Sequence, residues 1–189
     1  MGPHHPSTHG VLRLLLELDG EELITVLPDI GFLHTGIEKN IEDKSYEKAV
    51  PLTDRMDYLT PMSNNMVFCM AVEKLVDLDV PERAQIIRVI LLELSRLASH
   101  LVWLATSALD MGAMSVFLYC FREREKILSL FEMISGQRMM GSYFRPGGVW
   151  RELPDGFHKA VEEILALMPA KIDDYQRRSE EHTSELQSL

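Results

Sequence analysis

Between Pro81 and Leu109 the chain carries Ile90, Leu94, Leu97, Leu101 and Leu104 at intervals of four and three residues. That spacing aligns apolar side chains on one face of an α-helix. Pro81 suits the first helical position, where its missing N–H costs nothing. Arg88, Glu93, Arg96 and His100 fall on the other faces, and Asp110-Met111-Gly112 breaks the pattern. A stripe this long has to be covered by other elements. A helix over about Met114–Ser135, stopped by Gly136, is the first candidate. Met62–Asp77 predicts another, apolar nearly all round from Met66 to Val72 and therefore expected to be deeply buried. A fourth starts near Asp155, with Phe157, Val161, Ile164, Leu165 and Met168 on one side, and is expected to break at Pro169. Short connections make these an antiparallel bundle.

The N-terminal quarter has a different texture. Met1-Gly2-Pro3-His4-His5-Pro6-Ser7-Thr8-His9-Gly10 holds three of the seven histidines, fenced by proline and glycine. Proline fixes φ and glycine permits angles that other residues avoid, so the stretch is an irregular loop and no helix. Val11 to Leu18 then alternates, with Leu12, Leu14, Leu16 and Leu18 on one side. Asp19-Gly20 is a hairpin signal, and Leu23–Leu27 returns as the second strand. The hairpin is expected to bury one leucine-rich face and hold the histidine loop still. Pro28–Gly36 reads as a connector containing His34, Ile37–Ala49 as a short solvated helix, and Pro51–Pro61 as a second irregular stretch. The fold class is α+β, mainly α, with an N-terminal β-hairpin followed by an antiparallel helical bundle. Residues 1–60 form the hairpin and site loops, and 61–176 the bundle.

Composition narrows the function classes. The 189 residues are 46% hydrophobic and 25% charged, as in a globular chain. A net charge of −10 disfavours nucleic acid as a partner. Cys69 and Cys120 each lie in apolar runs, with no C-x-x-C pair, and read as buried thiols in a reducing compartment. No signal peptide is expected, and the longest uninterrupted apolar run is too short to span a bilayer. The segment Arg178–Ser188 resembles a translated sequencing adapter, so 177–189 is expected to be an artefact tail outside the natural fold.

Three breaks in regular structure carry the reactive side chains: the His9 loop, the Asp57-Tyr58 stretch, and Asp110. Histidine changes charge nearest neutral pH. The bland readings of the loop are a solvated tail or a tag remnant, and the interspersed prolines and the Ser-Thr pair argue against a tag. Zinc is the next reading, but the prolines deny His5 and His9 the helical spacing a zinc site would use. Asp110 sits at a helix C-terminus, which disfavours a carboxylate. It is either a local turn former or the partner of a cation such as an imidazole. Tyr58 keeps its proton at neutral pH and can donate a hydrogen bond. A tyrosine and a carboxylate-paired histidine across an apolar cavity would suit an uncharged acceptor with two carbonyls. Charge runs such as Arg122-Glu123-Arg124-Glu125-Lys126 are mostly solvated faces, but aromatic Phe117, Tyr119, Phe121 and Phe131 surround this one, so part of it is expected to meet a partner.

The segment Gly2-Pro3-His4-His5-Pro6-Ser7-Thr8-His9-Gly10-Val11-Leu12-Arg13 resembles the opening signature of the 49 kDa family of NADH:quinone oxidoreductase, the D-type subunit of respiratory complex I. The likeness continues through His34-Thr35-Gly36-Ile37-Glu38-Lys39, Asp54-Arg55-Met56-Asp57-Tyr58-Leu59 and Ala71-Val72-Glu73-Lys74-Leu75. It extends to Glu93–Leu101, Phe121–Glu125 and Arg145-Pro146-Gly147-Gly148-Val149. Family members are more than twice this length, so the chain corresponds to an N-terminal portion.

The resemblance implies roles residue by residue. His9 and Tyr58 would bind the quinone headgroup from opposite sides, Tyr58 as a proton donor, and Asp110 would partner His9. Arg55 would lie near the terminal iron–sulfur cluster of the B-type iron–sulfur subunit, which with this chain encloses the quinone cavity. FMN and further clusters belong to partner subunits, and no metal is held by this chain. The B-type iron–sulfur, C-type and membrane H-type subunits of complex I are the implied neighbours. The protein would sit peripherally on the cytoplasmic face of the bacterial inner membrane, without a transmembrane segment, serving quinone reduction coupled to proton pumping. The fragment alone is not expected to be active. Met140 stands where many members carry a histidine near the cluster, which implies a weaker pH dependence of cluster reduction. The family also resembles nickel–iron hydrogenase large subunits. Asp57 and Thr60 stand where those enzymes use cysteine, so a nickel site is ranked last. The other alternative is a non-catalytic helical scaffold docking iron–sulfur and membrane subunits.

Overall fold

A computed structural model describes residues 1–187; at 179 and 181–187 the backbone alone is described. The chain divides into two compact units, Met1–Asp43 and the remainder from Lys44. Residues 44–60 fall within the second of these units.

The first unit is built on strands β1 (Arg13–Asp19) and β2 (Glu22–Asp29), antiparallel, with Asp19 opposite Glu22. Gly20 takes the positive φ of +62° that the tight turn needs. Pro28 extends β2 beyond the expected end. It lies opposite Leu14, whose N–H and carbonyl both turn away to pair with Met1 at 2.7 Å, so no N–H is demanded of the proline. The leucine face is not buried as expected. Leu14 and Leu16 are half-buried, Leu18 is exposed, and every residue of β2 is exposed. A two-stranded ribbon has no layer of its own to cover either face. The helix expected over Ile37–Ala49 is two helices, α1 (Ile37–Glu42) and α2 (Tyr46–Thr53), divided at Ser45, whose extended backbone begins the second.

In the second unit α3 (Pro61–Val76), α4 (Glu82–Asp110), α5 (Met114–Ser135) and α6 (Phe157–Gln187) form the bundle. A three-residue connection makes α4 and α5 antiparallel. The buried line of α4 runs Ile87, Leu91, Leu94, Ala98, Leu101, Ala105 and Ala108, while Ile90, Leu97 and Leu104 are half-buried beside it. Alanine at three of those positions lets the helices approach closely. Cys120, Ile127, Phe131 and Ile134 of α5 meet this line in the core. Among the described residues α4 is long and apolar enough to cross a membrane, which the broken runs of its sequence do not foretell. A buried Arg88 and a core face shared with α5 mark it as a bundle helix.

Three further expectations are corrected. α3 is not buried all round, because Val67, Met70, Leu75 and Val76 are exposed. The charge run of α5 is a solvated face only in part, because Glu123 and Arg124 turn inward within this chain while Arg122, Glu125 and Lys126 stay exposed. Nor does the last helix break at Pro169. The proline sits on the exposed side, where water can satisfy the carbonyl it deprives of a donor, while Met168 and Tyr175 stay buried on either side of it. The backbone of α6 continues into the suspected tail, of which residues 188–189 and most side chains lie outside the described residues.

Candidate functional site

Thr53 closes α2 and the chain turns sharply before α3. Asp57 makes that turn. Its Oδ1 accepts from the Leu59 N–H at 3.0 Å and its Oδ2 from the Thr60 hydroxyl at 3.3 Å. Aspartate folds the chain back onto its own side chain in this way. Tyr58 is held at the apex, half of its surface exposed, and its hydroxyl has no partner among the described residues.

Three residues earlier the environment reverses. Asp54 is 1% exposed. Its Oδ2 accepts from the Ser142 N–H at 3.0 Å and from the Ser142 hydroxyl at 2.5 Å. Burial raises the carboxyl above its ordinary value, against the lowering effect of Ser142, Arg55 and Asn65. Asn65, also buried, donates to Thr53 Oγ1 at 2.8 Å and to the Val50 carbonyl at 3.3 Å.

Ser142 belongs to the segment 137–145, which is packed too tightly for ordinary side chains. A Cβ at Gly141 would collide with the Ser135 side chain. Met140 and Ser142 both take positive φ. Arg145 donates to the carbonyls of Ser142 and Phe144. These constraints bring Arg55, Met140 and Arg145 to the wall of one polar depression of about 290 Å³, together with Ser142, Gln137 and Trp150. Neither arginine is ion-paired to a carboxylate among the described residues, in a chain with ten more acidic than basic side chains. Arg55 instead donates to the Pro51 carbonyl. Two cations without counter-ions make the depression a place for an anionic group.

A second buried acid fixes the same segment from behind. Strands β3 (Phe144–Arg145) and β4 (Gly148–Val149) form a small hairpin. Arg88, 1% exposed, donates to both carboxylate oxygens of Glu73, to the Gly148 carbonyl at 3.1 Å and to the Arg145 carbonyl at 2.8 Å. The Gly147 N–H donates to Glu73 at 2.8 Å. Burial pushes the Glu73 carboxyl up, but Arg88 and the Gly147 N–H outweigh it and hold it below the ordinary value. An arginine inside the apolar pattern of α4 and a glutamate at the end of α3 were the available signals for this pair.

The histidine loop lies in the other unit. Thr8 is its buried anchor, its hydroxyl donating to the His5 carbonyl at 2.8 Å. A Cβ at Gly2 would strike the Leu12 carbonyl, so the loop closes onto the strand only with glycine there. His5 Nδ1 accepts from the Ser7 N–H at 3.1 Å. His9 caps the short 3-10 turn Pro6–Thr8 with φ +51° and stands exposed. Asp110 ends α4, exposed, with no side-chain partner among the described residues. Neither Asp110 nor Tyr58 lines the depression at Arg55, and no hydrogen bond joins the two. An apolar cavity of about 930 Å³ lies between α4 and α6 against Leu97, Leu104, Met168 and Ile172. Neither His9, Arg55, Tyr58 nor Asp110 lines it. Cys69 and Cys120 are buried free thiols, each pushed up by burial to about 11.

Comparison with known proteins gives a consistent picture. The family described as the 49 Kd subunit of respiratory-chain NADH dehydrogenase matches residues 110–183. The D 2 subunit of the NADH-quinone oxidoreductase of Chloroflexus aurantiacus is 66% identical over 93% of this chain and 43% of its own length. The corresponding D 2 subunit of a Roseiflexus species is 66% identical over 93% of the chain and 42% of its own length. The D 1 subunit of Solibacter usitatus is 64% identical over 93% and 43%. The chain spans less than half the length of the curated relatives it matches.

Proposed function

Because this chain belongs to the 49 kDa (D-type) subunit family of NADH-quinone oxidoreductase, we propose that it forms one wall of the cavity in which quinone is bound and protonated. The other wall would come from the B-type iron–sulfur subunit, with the C-type and membrane H-type subunits as further neighbours. The complex would lie peripherally on the cytoplasmic face of the membrane and couple the reaction to proton pumping. NADH, FMN and the iron–sulfur clusters belong to partner subunits in this reading, and the last cluster supplies the electrons.

One observation carries the reading. Arg55, Met140 and Arg145 come from stretches far apart in sequence and line one polar depression. A thiolate- and sulfide-ligated cluster is anionic, and two arginines without carboxylate partners suit its approach. Cys69 and Cys120 sit in the bundle core and neither lines the depression, so this reading takes the cluster from the partner subunit. Three residues beyond Arg55 the Asp57 turn presents an unpartnered phenol. Tyr58 is suited to donate to one quinone carbonyl while His9, from the glycine-bounded loop, meets the other. Asp110 would orient the imidazole, fix its tautomer and favour its protonated form until the proton is given up.

The test is Tyr58→Phe in the intact complex. NADH oxidation with a water-soluble artificial acceptor should persist, while quinone reduction falls by about 10²-fold or more, the scale of a positioned proton donor. A pure scaffold, the second reading, is favoured by the exposed apolar face of α3, Val67, Met70 and Leu75. It requires that Tyr58→Phe leave quinone turnover unchanged.

A further inference from the structure

Beside the arginine depression two buried oxygens have no hydrogen-bond partner, Asp54 Oδ1 and Asn65 Oδ1. Asn65 is tied to Thr53, the residue before Asp54, so the two orphaned oxygens belong to one buried cluster. Each oxygen lacks a donor. An ionised Asp54 cannot supply one, and the Asn65 amide N–H groups are committed to Val50 and Thr53. A single proton on Asp54 Oδ1, shared with Asn65 Oδ1, satisfies both atoms at once.

We propose that Asp54 is a proton-holding site, carrying its proton on Oδ1 and donating it to Asn65 Oδ1. A neutral acid can still meet its other partners. Oδ2 then acts as the carbonyl oxygen and accepts both Ser142 bonds, which need no negative charge. Arg55, next in the chain, is the cation that acts on it; α3 presents Asn65 and the Cys69 thiol, and the 137–145 segment presents Ser142 and Arg145. Burial favours the protonated form and Arg55 opposes it. An anionic group docked on Arg55 and Arg145 cancels that opposition, so anion approach and proton retention on Asp54 reinforce each other. This last linkage, but not the position of the proton, rests on the proposed placement of the partner's cluster. The site differs from the His9, Tyr58 and Asp110 set, and it supplies a titratable group next to the position where Met140 cannot titrate.

The test uses the full-length protein in its assembled complex. Infrared spectra at neutral pH should show a protonated-carboxyl C=O band that disappears in Asp54→Asn. The amide reproduces the acid's donor and acceptor, so Asp54→Asn should assemble and shift the thermal midpoint by no more than about 2 °C. Absence of the band in the wild-type complex overturns the proposal. So does an Asp54→Asn variant that fails to assemble or melts far below wild type. Arg55→Gln and Arg145→Gln separate the two ideas. If they leave the cluster's midpoint potential unchanged, the cluster is not at the depression, while the band still reports on Asp54.

Discussion

Glu73 and Asp54 are both buried carboxyls that hold the 142–148 segment, and they are served in opposite ways. Glu73 meets a guanidinium and a backbone N–H, every donor committed, and its carboxyl is held below the ordinary value. Asp54 meets a hydroxyl, an N–H and an amide, keeps one oxygen unmatched, and is raised. Burial penalises charge at both sites, so the partner decides the outcome. Where a cation is fixed alongside, the acid stays ionised and works as a clamp. Where only neutral groups make contact and the nearest cation is turned to another acceptor, the acid gains proton affinity and becomes available for chemistry.

The largest way to break the contrast is Arg88→Ala. It strands the Glu73 charge and the carbonyls of Arg145 and Gly148, and should cost about 3–5 kcal/mol of stability in chemical denaturation of the full-length protein. The pair Glu73→Leu with Arg88→Met removes the stranded charge. It should still leave a deficit on the order of 1–3 kcal/mol, because the carbonyls of Arg145 and Gly148 lose their donor. Full recovery would show that the pair is an ordinary ion pair with no hold on the turn. Gly141→Ala drives a methyl into Ser135 and should cost about 1–3 kcal/mol, displacing Met140 and Arg145 together.

Ser142→Ala is smaller and sharper. Loss of a hydrogen bond to a neutral acid costs about 1 kcal/mol, whereas loss of one to a carboxylate costs about 1.5–3. The lower value is expected, and the higher would mean that Asp54 is charged. The pH dependence should separate the two acids most finely. Glu73 is depressed, so its contribution is complete above the ordinary glutamate value of about 4.3 and is lost as pH falls through its lower folded value. Asp54 is raised, so its contribution is complete below the ordinary aspartate value of about 3.9 and is lost as pH rises through its folded value. Stability against pH for Glu73→Gln and Asp54→Asn should therefore diverge from wild type with opposite slopes.

What the sequence made legible was local. The leucine alternation and Asp19-Gly20 located the hairpin, and periodicity located α4 and α5 almost to the residue. Failures came where long-range packing overrode local pattern. Pro169 is tolerated because its side of the helix faces water, and α3 keeps an apolar face that this chain does not cover. The candidate site divides along the same line. Tyr58 and its Asp57 turn follow from neighbouring residues. The Asp54–Ser142 bond spans 88 positions, and the Arg88–Gly148 bond spans 60, so no motif spacing announces them. Breaks in the pattern drew attention to His9 and Asp110 and family resemblance supplied their roles and Arg55, but only the folded chain joined Arg55 to Arg145 across one depression.

Photolabelling of the intact complex with a reactive quinone analogue, followed by peptide mapping, tests the quinone-site assignment most directly. Labels on the Pro3–Gly10 loop and on the Asp57–Thr60 turn, both removed by excess unlabelled quinone, are the predicted result. Competable labelling confined to other subunits, or to surfaces of this chain away from both segments, would contradict it.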